Sequence, residues 1–188
     1  MSQQELLIKV ITVLEKNKLD YMITGSMVSS LQGEPRSTHD IDLIIDIDIS
    51  KAEKLLDSFP PPDYYLDKDG ILDAIKRKSM FNLLEIESGD KVDFWILTDD
   101  EFDKSRFARK CSEKVMRTNV KVSSPEDTIL SKLRWAKLSG GSEKQFVDAL
   151  GVYEVQFDKL DMKYMESWVK KLNVTLLWKQ LKKEAKVI

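Results

Sequence analysis

The chain has 188 residues, 42% hydrophobic and 33% charged, with a formal net charge of −2. Such a length holds one substantial domain, or a domain with a small helical appendage. The composition excludes a disordered chain, and the apolar runs, strand-length and broken by Asp, exclude a membrane span. The near-zero total hides an imbalance, because residues 1–103 carry 11 Lys and Arg against 22 Asp and Glu, whereas residues 104–188 carry 19 against 10. A basic second half points either to an anionic partner or to mutual attraction of the two halves.

Apolar residues at Leu6, Leu7, Val10, Ile11, Val13 and Leu14 predict a helix over 3–17. The start, MSQQELLIKV, has no basic stretch before an apolar core, so no signal peptide is expected. DYMITG (20–25) reads as a strand ending in Gly, and SMVSSLQG as a short helix capped by Ser26 and stopped by Gly33. After the turn-like GEPRSTH, DIDLIIDI (40–47) is a β-branched strand with acids at alternate positions. Helices are expected over ISKAEKLLDSF, ended by the prolines at 60–62, and over DGILDAIKRKS. FNLLEIESGDKVDFWIL (81–97) reads as two strands around ESGDK. Residues 99–110 then form a helix and KVMRTNVKV a short strand pair. From Ser124, an N-cap followed by Pro125 at the first helical position, the chain is helical at 125–138, 142–155, 161–171 and 174–186. The expected layout is a mixed α/β domain over 1–122 and a helical subdomain over 123–188.

The chemistry lies in the acids. Asp40 and Asp42 alternate on one strand and so project to one side, about 7 Å apart along the backbone. Two neighbouring carboxylates repel unless a cation stands between them, and hard oxygen donors suit Mg²⁺. Asp93, the lone acid in KVDFWIL, offers a third. With three, two ions could be held for in-line phosphoryl displacement, and the carboxylates are expected to converge within about 5 Å of a common point. The single histidine, His39, cannot build a His-rich zinc site, and alternation puts it on the opposite strand face in a structural role. The single cysteine, Cys111, excludes an internal disulfide and fits a reducing cytoplasm. Gly25-Ser26, where a strand meets a helix, supplies backbone N–H groups and a hydroxyl suited to phosphate. Trp95 shares a strand face with Asp93, where it could lie beside a base or pack in the core.

Gly25-Ser26, a gap of thirteen residues and Asp40-Ile41-Asp42-Leu43 together resemble the signature of the nucleotidyltransferase superfamily related to DNA polymerase β. The longer form, with Arg36 and Thr38 before the acids and a later helix bearing Pro125, Glu126, Asp127, Lys132, Leu133 and Lys137, is similar to AbiEii-type toxin nucleotidyltransferases. The likeness covers residues 20–150. Those relatives follow the Lys helix with Asp-x-x-Asp; here Asp148 keeps the later position and Gln145 stands at the earlier one.

The resemblance implies a nucleotidyltransferase-fold mixed sheet with flanking helices, and transfer of a nucleoside monophosphate from an NTP to a hydroxyl. The acceptor would be a nucleic acid such as tRNA, a protein or a small molecule. Asp40, Asp42 and Asp93 would be catalytic and would hold two Mg²⁺ ions, with Mn²⁺ able to replace them. Gly25, Ser26, Arg36, Thr38 and Lys132 would bind the nucleotide, Arg36 and Thr38 by touching phosphate or bracing the loop. A toxin role would bring an antitoxin partner. The rival reading is a catalytically silent nucleotide-binding or antitoxin-like module of the same fold. A haloacid-dehalogenase reading, with Asp46 as nucleophile, fails because "TDD" at 98–100 arrives too early and no clear Lys motif intervenes.

Overall fold

The computed structural model describes residues 1–38, 40–115 and 117–187, so the reading of His39 lies outside the described residues. The chain opens with α1 (Gln3–Lys16), β1 (Asp20–Thr24), α2 (Gly25–Gln32), β2 (Ile41–Asp46) and α3 (Ile49–Ser58). It continues through β3 (Tyr64–Leu66), α4 (Lys68–Arg77), β4 (Met80–Glu85), β5 (Lys91–Ile96) and α5 (Glu101–Ala108). Then come β6 (Cys111–Val115), β7 (Thr118–Val122), α6 (Pro125–Leu138) and α7 (Glu143–Gln156). A single 3₁₀ turn (Phe157–Lys159) leads to α8 (Met162–Lys171) and α9 (Thr175–Glu184). Among the described residues, the strand that sequence patterning omits is β3, three residues at the sheet edge just after the prolines. Among the described residues no helix is long and apolar enough to cross a membrane.

The chain divides into two compact units: Met1–Thr24 with His39–Val122, and Gly25–Thr38 with Ser123–Ile188. Segment 25–38, expected within the 1–122 domain, therefore groups with the helical residues. The reason lies in its side chains: the Gln32 amide donates to the Ser123 carbonyl at 2.7 Å, and the Gln156 amide donates to the Gln32 carbonyl at 2.8 Å.

The first unit holds a mixed sheet of order β3-β4-β5-β2-β1-β7-β6. The β2–β5 and β1–β7 pairs are parallel and the others antiparallel. β2 lies inside it, and its branched run is buried as that position requires: Ile41, Leu43 and Ile45 are fully enclosed. α1 buries Leu6, Leu7, Val10, Ile11 and Leu14, a helical stripe. Its start is fixed by a capping box between Ser2 and Glu5.

In the second unit, α6 begins as its sequence dictates, with the Ser124 hydroxyl accepting from the Asp127 backbone N–H and Pro125 in the first turn. The Asp127 carboxylate, wholly buried, accepts from the Ser124 hydroxyl at 2.8 Å and the Tyr164 hydroxyl at 2.6 Å. Gly33 approaches α7 so closely that an added Cβ would stand 2.7 Å from the Val152 nitrogen and 2.8 Å from the Gly151 carbonyl carbon. Both are backbone atoms. Gly33→Ala is therefore expected to cost about 1–3 kcal/mol through forced displacement, read as a lower urea midpoint; an unchanged midpoint would show that this approach is slack.

Candidate active site

In the first unit β2 and β5 run side by side in register, with Asp42 opposite Asp93 and Ile44 opposite Trp95. Directly opposed residues share a sheet face, so the Asp42 and Asp93 carboxylates project to the same side. Asp93 is 9% exposed and satisfied on both oxygens. Asn82, its partner on β4, donates its amide to Oδ1, and the Lys91 ammonium lies 3.3 Å from Oδ1 and 3.0 Å from Oδ2. These partners offset the cost of burying a carboxylate. Asp42, half-buried, accepts a hydrogen bond from Trp95 Nε1 at 3.3 Å. Trp95 also packs against Met22, Ile44 and Phe107, the core-packing role weighed for it. Asp40, one residue before β2, is exposed.

Lys91 gathers this face electrostatically. Its hydrogen bonds to Asp93 hold the ammonium above the usual lysine range, against the effect of burial, and the charges of Asp93, Asp40 and Asp42 act in the same raising direction. The Asp42 and Asp93 carboxylates thus share the face with one ammonium, and the Asp40 charge acts on that ammonium as well. Among the described residues, no group of three or more His, Cys, Asp or Glu side chains is arranged to hold a metal ion. The donor chemistry still fits a hard cation, since Asp40, Asp42 and Asp93 are oxygen ligands on neighbouring elements. What stands against convergence is local: both Asp93 oxygens are already engaged by Lys91 and Asn82.

The second unit brings together three of the residues expected to bind nucleotide. Gly25 starts α2 with φ of 73°, a left-handed conformation that favours glycine. Ser26, expected as the cap before the helix, lies within α2 and is 8% exposed. Its hydroxyl accepts from Arg36 Nη2 at 2.8 Å and from Lys132 Nζ at 3.3 Å. Arg36 grips Asp148 with two parallel bonds, Nε to Oδ1 at 2.7 Å and Nη2 to Oδ2 at 2.8 Å. Lys132 reaches Asp148 Oδ2 at 2.7 Å. Burial pushes the Asp148 carboxyl up, but the hydrogen bonds and charges of Arg36 and Lys132 outweigh it and hold the group below the usual carboxylate range. Thr38 is half-buried at the end of the loop that follows α2.

Sequence reasoning missed Lys91 and Asn82 as site neighbours. Lys91 could have been found by alternation, two residues before Asp93; Asn82 required the register of β4 against β5. Asp148 was visible only as the surviving half of an interrupted motif.

The chain resembles several solved structures of one class. A nucleotidyltransferase-like antigenic protein from Paracoccidioides brasiliensis is 16% identical, with 98% of this chain and 94% of that one covered and a TM-score of 0.53. The antibiotic-resistance factor ANT(2'')-Ia, solved in solution, is 13% identical over 97% of this chain and 95% of its own, with a TM-score of 0.52. A crystal structure of ANT(2'')-Ia with adenylyl-2''-tobramycin gives 13% identity, 94% and 99% coverage and a TM-score of 0.53. No curated protein matches the sequence. The fold is that of a nucleotidyltransferase. More narrowly, the model of the aminoglycoside-2''-adenylyltransferase family matches residues 6–165, and the chain belongs to that family of nucleotidyltransferases.

Proposed function

We propose that this chain moves a nucleoside monophosphate, adenylate first among them, from a triphosphate to a hydroxyl of a small aminoglycoside-like acceptor in the cytoplasm, releasing pyrophosphate. The observation that carries the reading is the register of Asp42 against Asp93 on one sheet face. The family description supports the adenylyl donor and the amino-sugar acceptor. In this reading the acceptor oxygen bonds to the α-phosphorus, the bond from that phosphorus to the bridging oxygen breaks, and the hydroxyl proton passes to the Asp93 carboxylate.

Asp40 and Asp42, with Asp93 as a third ligand when its partners release it, would hold divalent cations, two Mg²⁺ in the first instance, as nucleotidyltransferases of this kind generally use divalent metals. Bound there, such a cation neutralises phosphate charge and polarises the phosphoryl oxygens. Gly25, Ser26, Arg36, Thr38 and Lys132 would engage the triphosphate, Arg36 and Lys132 as fixed positive charges.

Charge also bears on the acceptor. Counted by unit, the first carries 17 Lys and Arg against 22 Asp and Glu, and the second 13 against 10. Part of the basic half is spent within the first unit, where Lys110 and Lys121 both pair with Asp20. An excess of this size gives weak support to a polyanionic acceptor such as tRNA, whose binding depends on many phosphate contacts.

The test is incubation with ATP labelled at the α-phosphate, Mg²⁺ and, in parallel, tobramycin, other amino sugars, tRNA and protein. Label and an added adenylate mass on an amino sugar are expected. If Mg²⁺ with ATP neither raises the melting temperature nor labels any acceptor, the transferase reading fails.

A further inference from the structure

The pair formed by Lys91 and Asp93 has a consequence for cation binding, on the premise that the carboxylate face is the metal-binding one. Lys91 and Asp93 stand two apart on β5 and share a face, with the ammonium spanning both carboxylate oxygens at 3.3 and 3.0 Å. Asn82 fixes Oδ1 from the neighbouring strand. The Asp93 side chain is 13% exposed, whereas that of Lys91 is 46% exposed. The carboxylate is therefore held in place while the cation that neutralises it sits on a flexible four-carbon stem open to solvent. Any divalent ion that takes Asp93 as a ligand must first separate it from an ammonium, and the ammonium can leave without disturbing β5.

We propose that Lys91 is a tethered competitor for the divalent cation: it offsets the Asp93 charge when no metal is bound and sets how tightly Asp93 admits one. Removing the ammonium leaves the Asp93 charge without this compensation, so the metal-free protein loses stability while its affinity for metal rises.

The experiment is titration of the full chain with Mn²⁺ alone, followed by electron paramagnetic resonance, alongside melting curves in EDTA and in Mn²⁺. Lys91→Gln and Lys91→Met both remove the charge, the second keeping the apolar stem; Lys91→Arg keeps the charge. Breaking one partly exposed ion pair is worth up to about 1 kcal/mol, so both uncharged variants are expected to bind Mn²⁺ up to about fivefold more tightly than wild type. They should also melt lower in EDTA and gain more from Mn²⁺. Lys91→Arg should bind no more tightly than wild type. Asp42→Asn, added to the same titration, should weaken binding and so locate the ion on this face. Equal Mn²⁺ affinity in wild type and both uncharged variants overturns the role of Lys91 and leaves the transferase reading standing. Equal tightening by Arg and Gln overturns it as well. Absence of Mn²⁺ binding in every variant, or binding indifferent to Asp42→Asn, overturns both.

Discussion

Asp148→Asn is expected to destabilise the protein by about 3–5 kcal/mol at pH 7, because it removes the carboxylate charge that the buried Lys132 ammonium and the partly exposed Arg36 guanidinium both bond. The Lys132 and Asp148 side chains are 6% and 5% exposed, so their 2.7 Å pair is largely out of water. Arg36 places two further bonds on the same carboxylate. Asparagine keeps the shape but removes the charge, and it must turn an N–H₂ toward a cation or lose an acceptor. Against a total stability of about 5–15 kcal/mol for an ordinary domain, that loss threatens folding at elevated temperature. Urea unfolding with an unchanged slope and a lower midpoint would register it. A loss below about 1 kcal/mol would show that the cluster behaves as a solvent-screened surface pair.

The pH dependence of that difference has a definite sign. The folded Asp148 carboxyl lies below its ordinary value. A group depressed in this way contributes stability above the unfolded pKa, near 3.9, and loses it as pH falls through the folded value. The gap between wild type and Asp148→Asn should therefore stay level from about pH 7 to pH 5 and close below about pH 4. A gap that instead widens in acid would show that Asp148 is protonated in the folded protein.

Alternation along single strands was the legible part of the site. A period of two places Asp42 with Asp40, and Trp95 with Asp93, without knowledge of any neighbour. Register between strands is not encoded in that period, which is why Asn82 and the direct opposition of Asp42 and Asp93 emerge only from the assembled sheet. The same limit hid the allegiance of α2. Its local pattern reads as the helix of a strand–helix turn, but Gln32 bonds Ser123 across 91 positions, and Arg36 bonds Asp148 across 112. β3 is too short to show a pattern at all, three residues of which only Tyr64 is buried. Of the two readings of the charge imbalance, mutual attraction of the halves has contacts to support it, since Lys110 and Lys121 of the basic half pair with Asp20 of the acidic half.

Asp42→Asn is expected to abolish nucleotide transfer while leaving the fold intact. Asparagine retains the oxygen that accepts from Trp95 Nε1, so the contact between β2 and β5 on that face survives. Asp42 is half-buried, and its replacement removes one of the three negative charges that act on Lys91. Melting temperature in EDTA should stay equal or rise slightly, because repulsion among Asp40, Asp42 and Asp93 is relieved. Transfer behaves oppositely. Charge stabilisation by a held cation is worth several kcal/mol in the transition state, and at 1.36 kcal/mol per decade the loss is about a thousandfold or more in rate. The two readouts together separate an enzyme from a silent module of the same fold. In the enzyme, ligand binding raises the wild-type melting temperature in Mg²⁺ and ATP by mass action, and the mutation removes that rise. In a silent module that uses this face only for packing, no rise exists to be removed. Transfer in Asp42→Asn within tenfold of wild type would move the chemistry away from the β2–β5 face.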